Sequence, residues 1–121
     1  MALPDAASTC LLLHNPRCSK SRAALALLTE RGAAVRERLY LDERLCRAEL
    51  DELRTRLGRP PAEWIRRGEP AYREAGLSEA SSDAQLLDAM VAFPILIERP
   101  ILVHGGRAVV GRPPERVLEL L

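Results

Sequence analysis

An apolar run, Cys10-Leu11-Leu12-Leu13, leads directly into His14-Asn15-Pro16-Arg17-Cys18-Ser19-Lys20-Ser21-Arg22, where a helical pattern begins at about Ser19 or Lys20. Strand, tight loop and helix start therefore follow one another with a cysteine at the loop's end. The first amides of a helix have no partner inside it and carry the positive end of the macrodipole. A thiolate or an oxyanion placed there is stabilised. Arg17, Lys20 and Arg22 add positive charge, and His14 lies four residues upstream. A free thiol has a pKa of about 8.5, and a depression of about two units makes most of it thiolate at pH 7. Cys18 is thus a candidate activated nucleophile.

The next elements narrow the fold. Alanines and leucines over residues 20–31, followed by Gly32, predict a helix with a C-terminal glycine. Residues 35–41 predict a second strand, which makes the opening a βαβ unit with parallel strands and a right-handed crossover. Cys46, Leu50, Leu53 and Leu57 fall at helical spacing before Gly58 and Pro60-Pro61, so Cys46 is expected in the core. Short helices are expected over 62–67 and 70–75. Ser82-Asp83-Ala84-Gln85 matches a capping box, and Leu86, Leu87, Met90 and Val91 form the apolar face of a helix that stops before Pro94.

Residues 100–104 and 107–111 flank Gly105-Gly106 and predict a β-hairpin. Arg112-Pro113-Pro114-Glu115 opens a last helix with Val117, Leu118 and Leu121 toward the sheet. Cys10 is expected in the strand core, His104 in solvent at the hairpin end, and residues 1–8 as a frayed end. The order β-α-β, helices, β-β-α is that of an α/β chain with a thioredoxin-like fold and a helical insertion. It is expected as one domain over 1–121, with the insertion at about 45–93.

Composition constrains what such a chain meets. With 121 residues, 47% of them hydrophobic and a net charge of +1, it is long enough for a core. It offers no global attraction for nucleic acid or membrane, so any attraction for anions is local. Of 18 basic residues only Lys20 is a lysine. No signal-peptide pattern opens the sequence, and no apolar run approaches the roughly 20 residues of a membrane span. Three cysteines without a metal-ligand or CxxC spacing fit a reducing, cytoplasmic setting, with no metal and no bound cofactor expected.

Taken together, several separated motifs resemble one family. They are the loop at residues 14–22, Leu39-Tyr40-Leu41, Trp64-Ile65-Arg66-Arg67-Gly68, Pro94-Ile95-Leu96-Ile97-Glu98-Arg99-Pro100-Ile101 and Gly111-Arg112-Pro113-Pro114. Over nearly its whole length the chain resembles the glutaredoxin-linked arsenate reductases of the ArsC type, particularly their short bacterial YfgD-like branch. The resemblance implies reduction of arsenate to arsenite, with glutathione as co-substrate and glutaredoxin as partner. It implies that Cys18 is the nucleophile, that His14 favours its thiolate and that Ser21 can donate to it. It further implies that Arg66, Arg99 and Arg112 bind the oxyanion and that the Arg99–Pro100 bond is cis. Arginines suit an oxyanion because their forked donors stay charged at any working pH.

Two other activities compete. Cys18-Ser19-Lys20-Ser21 is a CxxS motif, which a monothiol oxidoreductase acting on glutathione mixed disulfides would also carry. Spx-type regulators share the fold, but their redox-sensing members carry a second cysteine where this chain has Ser21. A low-molecular-weight phosphatase loop would need an arginine at position 24, which is Ala24.

Overall fold

Every residue of the first strand is buried, because that strand has neighbours on both sides and cover on both faces. The computed structural model describes Leu3 and residues 10–121. Thr9 and most of the expected frayed end lie outside the described residues. Strand β1 (Cys10–Leu13) pairs in parallel with β2 (Val35–Arg38) and antiparallel with β3 (Ile101–His104). Strand β4 (Arg107–Val110) pairs antiparallel with β3, giving a mixed four-stranded sheet of order β2-β1-β3-β4. Gly105 and Gly106 make the hairpin turn with φ of 55° and 73°, values that side chains with a Cβ rarely adopt.

Successive strand residues point to opposite faces, and the two cores follow that period. Leu11, Leu13, Ile101 and Val103 join Leu50, Leu53, Trp64, Leu87 and Met90 on one face. Cys10, Leu12, Leu102 and Val109 join Ala24, Leu28 and Val117 on the other. Helix α1 (Ser19–Glu30) crosses between the two parallel strands. Helices α2 (Arg47–Leu57), α3 (Pro70–Glu74) and α4 (Asp83–Ala92) lie between β2 and β3 in sequence. The capping box of α4 is present: Gln85 N–H donates to Ser82 Oγ at 3.1 Å and Ser82 N–H to Gln85 Oε1 at 2.7 Å.

Five local expectations change. Strand β2 stops at Arg38, and Tyr40 turns fully into the core. Cys46 is exposed and caps α2; the buried residue is its neighbour Leu45, and Glu49 accepts the Cys46 N–H at 3.0 Å. Residues 62–67 do not form a helix. A 3₁₀ turn, Pro61–Glu63, gives way to an isolated antiparallel bridge between Ile65 and Ile97. Arg66 N–H donates to Leu96 O at 2.7 Å and Glu98 N–H to Trp64 O at 3.0 Å. Burial of Trp64 and Ile65 against the core favours that pairing over a local helical turn. The last segment, Pro114–Leu120, is 3₁₀ throughout; Val117 is buried, while Leu121 is 50% exposed and faces solvent. His104, at the hairpin end, is partly covered rather than free in solvent, and its Nδ1 lies 3.4 Å from Cys10 Sγ.

Among the described residues two peptide bonds are cis, Arg99–Pro100 as the resemblance implies and Arg112–Pro113 in addition. The two loops are stitched together, since Gly111 N–H donates to Pro100 O at 2.8 Å. A Cβ at Gly111 would stand 2.8 Å from Val117 Cγ1 and 2.9 Å from Pro100 Cγ, both in buried residues. Gly111→Ala is therefore expected to destabilise the fold by about 1–3 kcal/mol, the usual result of overpacking. Urea unfolding followed through Trp64 fluorescence measures this; an unchanged midpoint would contradict the close approach.

Candidate active site

Cys18 occupies the N-cap of α1 in an extended conformation, with φ −97° and ψ 124°. The loop behind it is braced locally. Asn15 Oδ1 accepts the Arg17 N–H at 3.0 Å, Asn15 O accepts the Cys18 N–H at 3.0 Å, and Arg22 Nη1 donates to Pro16 O at 2.9 Å. Burial pushes the Cys18 thiol up, but the backbone N–H groups of Ser21 and Lys20 and the Arg99 guanidinium outweigh it. The net effect holds the thiol below its ordinary range, so the thiolate is favoured.

His14 and Ser21 lie beneath the loop. His14 is 3% exposed, and its Nδ1 is hydrogen-bonded to Ser21 Oγ at 2.7 Å. The same hydroxyl accepts the Asn15 N–H at 3.0 Å. Burial lowers the His14 pKa; Glu37, 3.9 Å from Nε2, works the other way, and Arg22 adds to the lowering. His14 is thus neutral near pH 7. Its place is under the loop, while the Ser21 group that stabilises the sulfur is the backbone N–H.

Two remote segments bring arginines to the sulfur, and a third arginine joins them through shared carboxylates. Arg112 Nη2 lies 3.9 Å from Cys18 Sγ, and its Nε donates to Arg99 O at 2.8 Å. Arg99, just before the cis proline, stabilises the thiolate through its guanidinium. Arg66 stands on the extended strip paired with residues 96–98 and adjoins them through two carboxylates. Glu98 Oε1 accepts Arg66 Nη1 at 2.8 Å and the Arg99 backbone N–H at 3.1 Å, and lies 3.0 Å from Arg112 Nε. Glu69 Oε1 accepts Arg66 Nε at 3.1 Å and lies 3.9 Å from Arg99 Nη1. Burial lowers the Arg66 pKa, but Glu98 and Glu69 outweigh it and raise it overall.

Some donors there have no protein acceptor. Arg99 Nε and Nη1 are buried without a hydrogen-bond partner among the described residues, as is the Tyr40 hydroxyl. Burial pushes Tyr40 up to about 12, against the pull of Arg99 and Arg66, so it stays a neutral donor. Three guanidiniums, two carboxylates and one thiolate bring the cluster to zero formal charge. Such an arrangement can present a sulfur nucleophile to a bound electrophilic anion while donors meet its oxygens.

Glu98, Glu69 and Tyr40 were not anticipated as parts of this cluster. Signals existed: Glu98 directly precedes Arg99, Glu69 follows Arg66 by three, and Tyr40 sits inside one of the separated motifs. Among the described residues no group of three His, Cys, Asp or Glu side chains could hold a metal ion. No helix of the described residues is long and apolar enough to cross a membrane.

A mixed sheet of this order, a cysteine capping the first helix and a cis proline before β3 define a thioredoxin-like α/β protein. The chain belongs to the ArsC family, whose family model matches residues 13–120. It is 46% identical over 112 residues to the uncharacterized protein YfgD of Escherichia coli K12, covering 91% of this chain and 94% of that one. It is 44% identical over 112 residues to an arsenate reductase of Neisseria meningitidis, covering 91% and 96%. The fold matches a solved arsenate reductase from Vibrio cholerae with a TM-score of 0.89 and 43% identity, covering 93% of this chain and 98% of that one.

Exposed Cys46 and buried Cys10 make Cys18 reactivity separable. In a Cys46→Ser background, which keeps a good N-cap, the pH midpoint for iodoacetamide alkylation of Cys18 is expected below the ordinary value of about 8.5. Because Arg99 favours the thiolate, Arg99→Ala is expected to move that midpoint upward. A wild-type midpoint at or above the ordinary value would contradict an activated thiolate.

Proposed function

We propose that this protein reduces arsenate to arsenite, using glutathione as co-substrate and glutaredoxin as partner. One observation carries the reading: a thiolate-favouring cysteine and the guanidiniums of Arg99 and Arg112 meet at one point. A relative 44% identical is an arsenate reductase, which supports the same substrate. Thiol–disulfide exchange alone needs the thiolate but gives no reason for Arg99 and Arg112 beside it, with Arg66 linked to them through Glu98.

In this reading Arg66, Arg99 and Arg112 hold the arsenate oxygens and offset the repulsion between anion and thiolate. Cys18 attacks arsenic, a sulfur–arsenic bond forms, and one oxygen leaves as water after taking up protons. Glutathione then attacks the Cys18 sulfur. The electron pair of the sulfur–arsenic bond goes to arsenic, which leaves as arsenite, and a Cys18–glutathione disulfide remains. Glutaredoxin reduces that disulfide and restores the thiol. His14 and Ser21 serve by holding the loop in the shape that aims the Lys20 and Ser21 amides at sulfur.

NADPH consumption coupled through glutathione reductase, with arsenate, glutathione and glutaredoxin present, tests the proposal. Arsenate-dependent turnover is expected in wild type and none in Cys18→Ser. Arg99→Ala is expected to lose about 10–100-fold in kcat/KM, the worth of one charge-assisted bond of about 1.5–3 kcal/mol. A wild-type protein with its thiol verified as reduced, yet without arsenate-dependent turnover, would sink the proposal.

A further inference from the structure

A carboxylate in the middle of an anion site requires a reason. Glu98 sits between Arg66 and Arg112 and contacts the Arg99 backbone as well. All three contacts fall on one oxygen, Oε1, at 2.8, 3.0 and 3.1 Å. Oε2 takes none of them. The side chain is 22% exposed, so a small polar solute can reach the carboxylate.

We infer that Glu98 sets which oxyanions the site accepts, favouring tetrahedral oxyanions that still carry a proton over those that carry none. The inference rests on the proposed placing of the substrate among Arg66, Arg99 and Arg112. An anion that bridges Arg66 and Arg112 lies beside the carboxylate that bridges the same two side chains. Arsenate and phosphate keep at least one O–H near neutral pH, and that hydroxyl can donate to Oε2 in a charge-assisted bond. Sulfate has no proton to give, so one of its oxygens would face the carboxylate lone pairs and be repelled. The inner oxygen fixes the guanidiniums, and the outer one reads the protonation of the ligand. Glu69 is less suited, since it contacts Arg66 and approaches Arg99 but not Arg112.

The site's charge agrees with this division. With Cys18 as thiolate the cluster is neutral, so attraction by net charge does not favour the more highly charged anion. Discrimination then falls to hydrogen-bond matching. A charge-assisted bond gained by one ligand and a repulsion met by the other separate the two by about 10–100-fold.

The test is calorimetric titration of wild type, Glu98→Gln, Glu98→Ala and Arg99→Ala with sodium arsenate, phosphate and sulfate at constant pH and ionic strength, without glutathione. Wild type is expected to bind arsenate and phosphate at least about tenfold more tightly than sulfate. Glutamine keeps an acceptor for the arginines and adds an N–H donor. Glu98→Gln is therefore expected to gain sulfate binding and bring the arsenate-to-sulfate ratio close to one. Glu98→Ala loses the inner acceptor and is expected to weaken arsenate and phosphate binding. An unchanged ratio in Glu98→Gln, with arsenate binding still abolished by Arg99→Ala, overturns the role of Glu98 alone. Absence of arsenate binding in wild type, or binding indifferent to Arg99→Ala, overturns the substrate placing and this inference with it.

Discussion

A partly buried thiol left to itself keeps its proton, and the chain is built against that tendency at Cys18. The opposing forces are the free amides of Lys20 and Ser21 and the charge of Arg99. The amides are free because α1 begins at Ser19, directly after its N-cap Cys18. That start is held by the Asn15-centred turn behind the cysteine and by Ala24 and Leu28, which anchor the helix to one face of the sheet. The buried His14–Ser21 hydrogen bond locks the loop from below. Its contribution is to hold a shape, which explains why a neutral histidine suits the position.

The arginines are assembled by a different principle. Each comes from a segment with little regular structure of its own, fixed by backbone pairing to a neighbour. Arg66 is held by the Ile65–Ile97 bridge, Arg99 by its place between that bridge and β3, and Arg112 by its bond to Arg99 O. Close guanidiniums repel one another, and Glu98 and Glu69 between them remove most of that repulsion. The carboxylates are thus as necessary to the cluster as the cations. The close contact of Gly111 with Pro100 and Val117 ties two of these loops to the core, so packing and chemistry share residues.

Much of the architecture was legible in the sequence because it follows periodicity and caps. The β1 run, α1 with its glycine stop, the Ser82 capping box and the Gly105-Gly106 hairpin all have local causes. The misread segments have non-local ones. Residues 62–67 lose a helical turn to pairing with a strip more than thirty residues away, which no local pattern reveals. Cys46 fitted an apolar spacing, but a thiol can also cap a helix, and Leu45 took the core position. The arginines are widely separated, so their grouping was expected from the family resemblance and not from periodicity. The paired carboxylates were less visible still, since a glutamate beside an arginine is common on any surface. Only the fold shows that Glu98 meets three arginines at once.

The central claim is that Cys18 carries the covalent chemistry and that an oxyanion triggers it. Peptide mapping by mass spectrometry, after incubation with arsenate and glutathione but without glutaredoxin, tests this most directly. The account predicts a glutathione disulfide on the Cys18 peptide that forms only when arsenate is present. A glutathione adduct that appears equally without arsenate, or that falls on Cys46 while Cys18 stays free, would contradict it.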